Sequence, residues 1–335
     1  MPKMRAVGFM EHGGPEVLRV FDVPVPAPKA RDLLVRVHAV GVNPIDAKVR
    51  AGTRPGPTGA SGPTIVGWDV SGVVEAVGAE VTGFAPGDEV WFAGDITRPG
   101  AYAEHVAVDA RLVARKPSSL SHADAAALPL TAITAWEGLF EGMGIEEGAG
   151  TDRSVLIVGG AGGTGSAAIQ IARRVAGLST IATASRPESA QACRALGADH
   201  VIDHGKPLLA QLEALGLKGV DYVFSGAEPL DADEVVPCLL PFGKICTLLP
   251  GVKGDLSGLF AKRGTLVFEL MFARPRTGIE PERHGAILAR VAALVDQGVL
   301  RTTRTRSLPW SEFRAAHEAI ASGHTLGKIV LGVPA

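Results

Sequence analysis

From about residue 154 onward, short apolar runs rich in β-branched residues alternate with stretches in which apolar residues recur at helical spacing. The runs predict strands at 154–158, 180–184, 200–202, 221–225, 244–249 and 266–270. The stretches between them predict helices at 166–176, 188–196, 207–215, 230–240 and 255–262. Regular alternation of this kind predicts a parallel sheet that is covered by helices on both faces.

The first 125 residues follow a different pattern. Their apolar runs, at 33–37, 70–77 and 102–106, are separated by clusters of Gly, Pro and Asp, which predicts a small β-barrel or sandwich. Asn43-Pro44 and the segment 52–63 break this pattern, and the second, rich in Gly, Pro, Thr and Ser, predicts a surface loop.

The last part of the chain adds mixed elements. Its pattern predicts a helix at 282–297, an extended segment at 300–308, a helix at 311–322 and a final strand at 328–333. The pattern leaves open which domain this tail joins.

A glycine-rich turn follows the predicted strand at 154–158 and leads into a helix. Its G-x-G-x-x-G spacing is typical of dinucleotide sites, where the glycines allow a tight turn, close approach of a pyrophosphate and close packing of helix on strand. Backbone N–H groups and the positive end of the helix dipole then face the phosphates. The predicted contacts in this turn are Gly160, Gly162, Gly163, Thr164 and Gly165.

The residues after the other strands indicate which dinucleotide binds. An acidic residue after the second strand usually binds the ribose 2′-hydroxyl of NAD, but here Ser185 and Arg186 stand there and no carboxylate ends the strand. A hydroxyl and a guanidinium suit a 2′-phosphate, so we predict NADPH. Gly226, Leu249 and Pro250 follow the fourth and fifth strands, where we expect them near the nicotinamide.

Composition narrows the class of protein. With 335 residues, 46% hydrophobic and 20% charged, the chain is long enough for two domains with a sizeable core. Lys and Arg total 33 against 35 Asp and Glu, so no charge excess favours nucleic acid or a membrane surface. Three cysteines without paired spacing, and no apolar signal segment or membrane span, lead us to expect a cytoplasmic protein.

Several segments resemble the medium-chain dehydrogenase/reductase superfamily, and within it the zinc-independent quinone oxidoreductase branch, including a bacterial group often labelled zinc-binding alcohol dehydrogenase. They include Gly-Val-Asn-Pro-Ile-Asp at 41–46 and Gly-Trp-Asp-Val-Ser-Gly-Val-Val at 67–74. The others lie at 13–18, 132–136, 160–165 and 326–331.

The resemblance implies a fold of the α/β class with two domains. A GroES-like β-rich catalytic domain would comprise residues 1–125 and 275–335, and a Rossmann domain with a doubly wound parallel sheet would comprise residues 126–274. It also implies an active site in the cleft between them. Finally, it implies a homodimer joined through the last strands of the two sheets, near Leu266 and Leu270.

The same resemblance bears on metal binding. Zinc members of the superfamily hold their catalytic metal with a cysteine, a histidine and a further Cys or Glu. Here Asn43 stands where the cysteine would be and Trp68 where the histidine would be, and a carboxamide and an indole do not replace a thiolate and an imidazole. The segment between Gly94 and Asp109 lacks the four cysteines of zinc members. We therefore expect no metal.

Without a Lewis acid, reduction of a quinone or an activated C=C bond is easier than interconversion of an alcohol and a ketone. We therefore expect hydride transfer from NADPH to a small-molecule electrophile, a quinone or an α,β-unsaturated carbonyl compound. By family position, Asn43 would lie near the nicotinamide ribose and the substrate, and Thr134 would pack against the nicotinamide. Asp46 either tunes this site or pairs with Lys48 or Arg50.

Two further residues are expected to act as a pair. By resemblance, Lys328 would neutralise the charge of the cofactor pyrophosphate and Asp69 would orient Lys328. This expectation requires that the charged groups of the two side chains lie within a water bridge of each other.

Two other functions remain open. An enoyl-thioester reductase would need a basic patch, to which Arg50, Arg54, Arg274 and Arg276 are candidate contributors. A non-catalytic NADPH-binding redox sensor would keep the glycine turn without any chemistry. A zinc alcohol dehydrogenase is disfavoured because its ligands are missing. The sequence names neither the acceptor nor the proton donor.

Overall fold

The computed structural model describes residues 2–57, 62–226 and 229–334, and its contacts divide the chain into two units. One unit is built from Met1–Leu130 and Phe272–Ala335, and the other from Thr131–Met271. Residues 126–130 and 272–274, which we assigned above to the Rossmann domain, fall in the first unit. Of the predicted loop at 52–63, residues 58–61 lie outside the described part of the chain.

The N-terminal part of the first unit consists mainly of strands. They are β1 (Lys3–Phe9), β2 (Arg19–Pro24), β3 (Asp32–Val42), β4 (Thr64–Ile65), β5 (Asp69–Val77), β6 (Glu89–Phe92), β7 (His105–Asp109) and β8 (Val113–Arg115). The helices are α1 (Pro44–Arg50), α2 (His122–Ala125) and α3 (Pro129–Trp136), the last of which leads into the second unit.

Strands and helices alternate in the second unit, as the pattern predicts. The strands are β9 (Ser154–Val158), β10 (Ser179–Thr183), β11 (His200–Ile202), β12 (Val220–Ser225), β13 (Leu230–Asp231), β14 (Leu239–Thr247), β15 (Val252–Lys253) and β16 (Thr265–Phe268). The helices are α4 (Gly163–Ile171), α5 (Pro187–Leu196), α6 (Leu208–Ala214), α7 (Ala232–Cys238) and α8 (Ser257–Ala261), and α3 and α4 each continue into a π-helical segment, Glu137–Gly142 and Ala172–Ala176.

The C-terminal tail returns to the first unit. Its elements are α9 (Ala273–Thr277), α10 (Glu282–Asp296), β17 (Arg304–Pro309), α11 (Phe313–Ala321) and β18 (Lys328–Gly332). Strand β18 pairs antiparallel with β3, so that the large sheet has the order β17-β18-β3-β5-β6-β8, with β7 also paired to β3. The tail therefore completes the β-rich unit, which the sequence pattern left open.

The sheet of the second unit is parallel and has the order β11-β10-β9-β12-β14-β16. This order, in which the chain starts at the centre and winds outward in both directions, defines a doubly wound α/β sheet. The side chains of Val155, Leu156 and Ile157 on the central strand are all completely buried, as expected for a strand covered on both faces. The predicted α/β fold class is confirmed.

One local prediction is incomplete and another is wrong. Asn43-Pro44 breaks the strand pattern as predicted, since β3 ends at Val42, but Pro44 also begins a helix that was not predicted, α1, where its fixed φ and missing N–H suit a helix start. The strand expected at 102–106 begins only at His105, and Tyr102 instead accepts a backbone hydrogen bond from Val7 N–H at 2.6 Å. None of the helices formed by the described residues has the length and hydropathy that a membrane crossing requires.

Candidate functional site

The glycine turn connects β9 to α4, and two of its glycines are required by packing. A Cβ on Gly165 would lie 2.2 Å from the carbonyl oxygen of Gly159, and a Cβ on Gly160 would lie 2.8 Å from the Cβ of Ala182. Both distances are too short for any real side chain, so strand, turn and helix pack as closely as the motif predicts. Gly159, which the motif does not include, has φ +79°, a left-handed conformation that favours glycine.

Gly162 differs from its neighbours in the motif. It is the N-cap of α4 in an extended conformation, and a Cβ there would meet only the Gly159 oxygen, at 3.5 Å. The fold therefore leaves open space next to Gly162, on the side where a side chain would project. Because the first N–H groups of a helix have no partner within it, those of α4 are available to an anion in that space. The turn thus fits the pyrophosphate of a dinucleotide.

Other predicted cofactor residues lie at the same edge of the sheet. Strands β9, β12 and β14 end at paired positions, Val158, Ser225 and Thr247. Gly226 follows β12, and Leu249 and Pro250 come shortly after the end of β14. The parallel register therefore brings these three residues to the carboxyl edge where the glycine turn also lies, which is the edge at which such sheets bind ligands.

Ser185 and Arg186 reach this edge from β10, which pairs with β9 on its other side. The turn is tied to the end of β10, because Gly160 N–H donates to the Thr183 carbonyl at 3.1 Å. Arg186 is the N-cap residue of α5, and its Nε lies 3.5 Å from Oε1 of Glu188. The sequence analysis found no carboxylate at the strand end. The structure corrects this, because a carboxylate from the first turn of α5 contacts the guanidinium.

In the first unit, four polar side chains form a buried cluster. Asn43, Asp46, Asp69 and Lys328 are at most 2% exposed. Lys328 Nζ donates to Asp69 Oδ2 at 2.8 Å, to the Val42 carbonyl at 3.1 Å and to Asn43 Oδ1. The expected pairing of Asp69 with Lys328 is therefore present. All three ammonium protons have an acceptor within the fold, however, so the direct pyrophosphate contact that we expected of Lys328 has no donor left.

This cluster holds Asn43 from two sides. Its Oδ1 accepts from Lys328, and its Nδ2 donates to Asp69 Oδ2 at 3.0 Å. Asp69 is itself fixed, since its Oδ1 accepts from Leu130 N–H at 2.7 Å. The backbone N–H of Asn43 donates to Asp46 Oδ2 at 2.8 Å, which is the helix-capping contact between the N-cap residue and the third residue of α1. The orientation of the Asn43 amide is thus determined by an ion pair.

Asp46 is completely buried and only partly satisfied. Its Oδ2 accepts from Asn43 N–H and from the Tyr102 hydroxyl at 3.3 Å, whereas its Oδ1 has no hydrogen-bond partner among the described residues. Burial raises the pKa of Asp46 to about 7, against the opposing effects of the Asn43 N–H and Lys328. The polar partners found for Asp46 are therefore Asn43 and Tyr102, in place of the Lys48 and Arg50 considered from the sequence.

Tyr102 connects this cluster to His317 and Arg50, and neither Tyr102 nor His317 was predicted to have a role. Its hydroxyl lies 3.2 Å from His317 Nε2, and His317 Nδ1 lies 3.1 Å from Arg50 Nη1. Burial, and then the charge of Arg50, lower the pKa of His317 to about 3, so the imidazole is neutral. No motif marks these residues. Tyr102 resembled a structural strand residue, and His317 is an isolated histidine in an ordinary amphipathic helix.

The remaining predicted positions are placed as follows. Thr134 lies in α3, is 6% exposed and belongs to the second unit. Trp68 is buried, and its indole N–H donates to the Arg98 carbonyl at 3.4 Å. Within residues 2–57, 62–226 and 229–334, no group of three or more His, Cys, Asp or Glu side chains is arranged to hold a metal ion.

Comparison with known families and proteins places both halves of the chain. Residues 29–118 match a family model described as an alcohol dehydrogenase GroES-like domain, and residues 196–331 match one described as a zinc-binding dehydrogenase. The chain is 34% identical to a zinc-type alcohol dehydrogenase-like protein of Staphylococcus epidermidis, over 98% of this chain and 100% of that protein.

Two plant proteins are also similar. A chloroplastic quinone-oxidoreductase homolog of Spinacia oleracea is 31% identical over 98% of both chains. A 2-methylene-furan-3-one reductase of Solanum lycopersicum is 41% identical over 213 residues, 61% of this chain and 53% of that protein.

Solved structures match the whole fold. A protein from Rhizobium etli described as a zinc-dependent alcohol dehydrogenase superposes with a TM-score of 0.91 at 42% identity, covering 99% of this chain and 98% of that one. A mycobacterial protein solved in complex with NADPH superposes with a TM-score of 0.84 at 30% identity, covering 98% and 99%.

Proposed function

This chain belongs to the medium-chain dehydrogenase/reductase superfamily of oxidoreductases, and we propose that it transfers hydride from NADPH to a quinone or an α,β-unsaturated carbonyl compound. One observation carries the choice of acceptor. Where zinc members would present a thiolate, this chain presents Asn43, whose amide is bound between Lys328 and Asp69. A carboxamide held in this way is not a ligand for zinc.

The names of the relatives fall into two groups, reductases of quinones or enones and zinc or alcohol dehydrogenases. The spinach relative is named as a quinone oxidoreductase homolog and the tomato relative as an enone reductase, which supports the proposed acceptor classes. The staphylococcal relative and the Rhizobium etli protein carry zinc and alcohol dehydrogenase names. For this chain, the residues at 43 and 68 favour the first group.

The cofactor proposal follows from the carboxyl edge of the parallel sheet. We assign the pyrophosphate to the turn formed by Gly160, Gly162, Gly163, Thr164 and Gly165. Ser185 and Arg186 would bind the 2′-phosphate, and Thr134, Gly226, Leu249 and Pro250 would line the nicotinamide. Bound NADPH would supply the hydride, and one proton completes reduction of the acceptor. The NADPH complex of the mycobacterial neighbour supports this choice of dinucleotide.

The protein's own contribution would be orientation and exclusion of water. Because a quinone or enone accepts hydride without a Lewis acid, the site needs only modest hydrogen bonding to the acceptor oxygen. The buried ion pair of Asp69 and Lys328 holds Asn43 in one orientation. We propose that this fixed amide and its loop shape the acceptor site.

The test is the oxidation of NADPH, followed at the nicotinamide absorbance, with a panel of quinones and enones and an enoyl-CoA. Each assay is run with and without a strong chelator and is repeated with NADH. We expect turnover that resists the chelator and prefers NADPH. A marked preference for the enoyl-CoA over the matching free enone would identify an enoyl-thioester reductase instead.

Two results would contradict the proposal. Tight NADPH binding without turnover of any acceptor would identify a non-catalytic sensor. Oxidation of alcohols that the chelator abolishes would identify the zinc chemistry for which the staphylococcal and Rhizobium etli proteins are named.

A further inference from the structure

A line of four hydrogen-bonded side chains runs through the interior of the β-rich unit, from Arg50 in the last turn of α1 to His317 of α11, then to Tyr102 and back to Asp46 in the first turn of α1. Arg50, His317, Tyr102 and Asp46 are all at most 4% exposed. Successive polar atoms along the line are 3.1, 3.2 and 3.3 Å apart. The line ends at Asp46, whose Oδ2 also accepts the backbone N–H of Asn43.

Hydrogen-bonding capacity determines the direction of every bond in this line. A guanidinium has only donors, so His317 Nδ1 must accept from Arg50. In the neutral imidazole the proton is then on Nε2, which donates to the Tyr102 hydroxyl oxygen. That hydroxyl is left to donate its own proton to Asp46 Oδ2. All three bonds therefore point toward the carboxylate.

The charges around Asp46 indicate why the direction of these three hydrogen bonds matters. Lys328 and Asp69 are in direct contact at 2.8 Å and compensate each other. Asp46 has no cation in contact through its described hydrogen bonds, and Arg50 is separated from it by two neutral side chains. A chain of aligned hydrogen bonds polarises each member and so extends the influence of a charge across a low-dielectric interior.

We propose that Arg50, His317 and Tyr102 are positioning residues which hold Asp46 in its ionised form, so that Asp46 in turn fixes Asn43 and the start of α1. The proposal rests on the proposed function in one respect, namely that Asn43 belongs to the acceptor site. The relay, by which we mean the line of hydrogen bonds from Arg50 through His317 and Tyr102 to Asp46, depends only on contacts within the β-rich unit.

The sign of the expected effect follows from the groups that face Asp46. Burial raises the pKa of Asp46 to about 7, and the negative charge of Asp69 also raises it. The pKa is lowered by the Asn43 N–H, Lys328 and the Tyr102 hydroxyl. Removal of the Tyr102 hydroxyl takes away a hydrogen bond that is stronger to the ionised carboxylate than to the neutral acid. The pKa of Asp46 should then rise further, and more of the protein should carry a protonated Asp46 at neutral pH.

The experiment is a pH titration of the carboxyl carbons of 13C-labelled aspartates by NMR, on the full chain without cofactor. Asp46→Asn identifies the Asp46 signal by its disappearance. We expect Asp46 to titrate near neutral pH, and we expect Tyr102→Phe to move its midpoint upward by about one pH unit, the equivalent of one ordinary hydrogen bond.

The chain offers a matched control, because its second tyrosine lies in the other unit. Tyr222→Phe removes a hydroxyl that accepts from Arg153 at 2.5 Å and should leave the Asp46 titration unchanged. An unchanged Asp46 midpoint in folded Tyr102→Phe would overturn the relay. If Tyr102→Phe does not fold, His317→Phe decides in the same way, since loss of the imidazole removes the donor to the Tyr102 hydroxyl and the link to Arg50 and should also raise the midpoint.

Activity then separates the relay from the proposed function. If Asn43 belongs to the acceptor site, kcat/KM should rise with pH as Asp46 ionises, and in Tyr102→Phe this rise should move upward with the NMR midpoint. A shifted NMR midpoint in a protein without reductase activity would leave the relay standing and refute the proposed function. A shifted NMR midpoint with an unmoved pH profile would refute the control of Asn43 by Asp46.

Discussion

At the scale of single residues, we expect the preference between NADPH and NADH to depend on one guanidinium, that of Arg186, and on its neighbour Glu188. Arg186 follows β10 at the edge where the glycine turn lies, and its side chain is 38% exposed. Glu188, which is 55% exposed, lies 3.5 Å from it and presents a negative charge where a 2′-phosphate would approach. The two residues therefore act in opposite directions on NADPH.

We expect Arg186→Ala to weaken NADPH binding by about 10- to 150-fold, the worth of one charge-assisted hydrogen bond, and to leave NADH binding nearly unchanged. Glu188→Gln should strengthen NADPH binding by about two- to fivefold, because exposed ion pairs are worth at most about 1 kcal/mol. Both are measured by titration of the nicotinamide fluorescence.

Arg194→Ala is the control for these variants, since it removes a charge from the same helix at its opposite end. It should leave both dinucleotides unaffected. Equal losses of NADPH and NADH binding in Arg186→Ala would show that the guanidinium does not contact the 2′-phosphate.

At the scale of elements, the strand–turn–helix unit contains glycines that are required for different reasons. Gly165 and Gly160 are required by packing, since a Cβ at either would lie within 2.8 Å of a neighbouring atom. Gly162 has ordinary φ and an open space above it, so the fold alone does not require glycine there. We propose that glycine stands at this helix N-cap because a bound phosphate occupies the open space.

Stability and binding should therefore respond separately to substitution of these two glycines. Gly162→Ala should keep the free energy of unfolding within about 0.5 kcal/mol and weaken dinucleotide binding at least tenfold. Gly165→Ala should lose about 1–3 kcal/mol of stability, because its Cβ overpacks the contact with Gly159. Urea unfolding and dinucleotide titration measure the two effects. Normal binding by Gly162→Ala would contradict the phosphate assignment.

At the scale of the whole molecule, the outer strand of the parallel sheet presents apolar side chains to solvent. Strand β16 pairs with β14 on one side only among the described residues, and Phe268 and Leu270 are 58% and 51% exposed. An open edge with exposed apolar residues favours pairing with another chain. We propose that a second copy pairs here, as the family resemblance implies.

Phe268→Lys combined with Leu270→Lys should convert a dimer into a monomer, because the lysines of the two copies would lie close together across a two-fold axis and repel each other. Light scattering after gel filtration measures the mass. Ile279→Lys changes an equally exposed side chain, 64% exposed, away from this strand and should leave the dimer intact. A wild-type chain that is already monomeric at micromolar concentration would contradict the proposal.

How much of the fold the sequence predicts depends on how local the pattern is. The strand at 200–202 was predicted to the residue, and the helix at 188–196 to within one residue of Pro187–Leu196, since apolar spacing and glycine stops are read from neighbouring positions. Helix α1 was missed because Asn43-Pro44 indicates a turn as readily as a helix start. The pairing of β18 with β3 was left open because strands far apart in sequence carry no local mark of their partner.

The sequence by itself determined the alternation that builds the parallel sheet, the glycine turn and the superfamily, because each is a pattern of neighbouring residues or of ordered motifs. Only the tertiary structure decided that Lys328 has no proton left for a phosphate, that Glu188 contacts Arg186, and that Asp46 meets Tyr102. Asp46 and Tyr102 lie 56 positions apart, and Tyr102 and His317 lie 215 apart. Such contacts form only when sheet closure brings distant segments within 3–4 Å, and their partners depend on side-chain directions that no local pattern encodes.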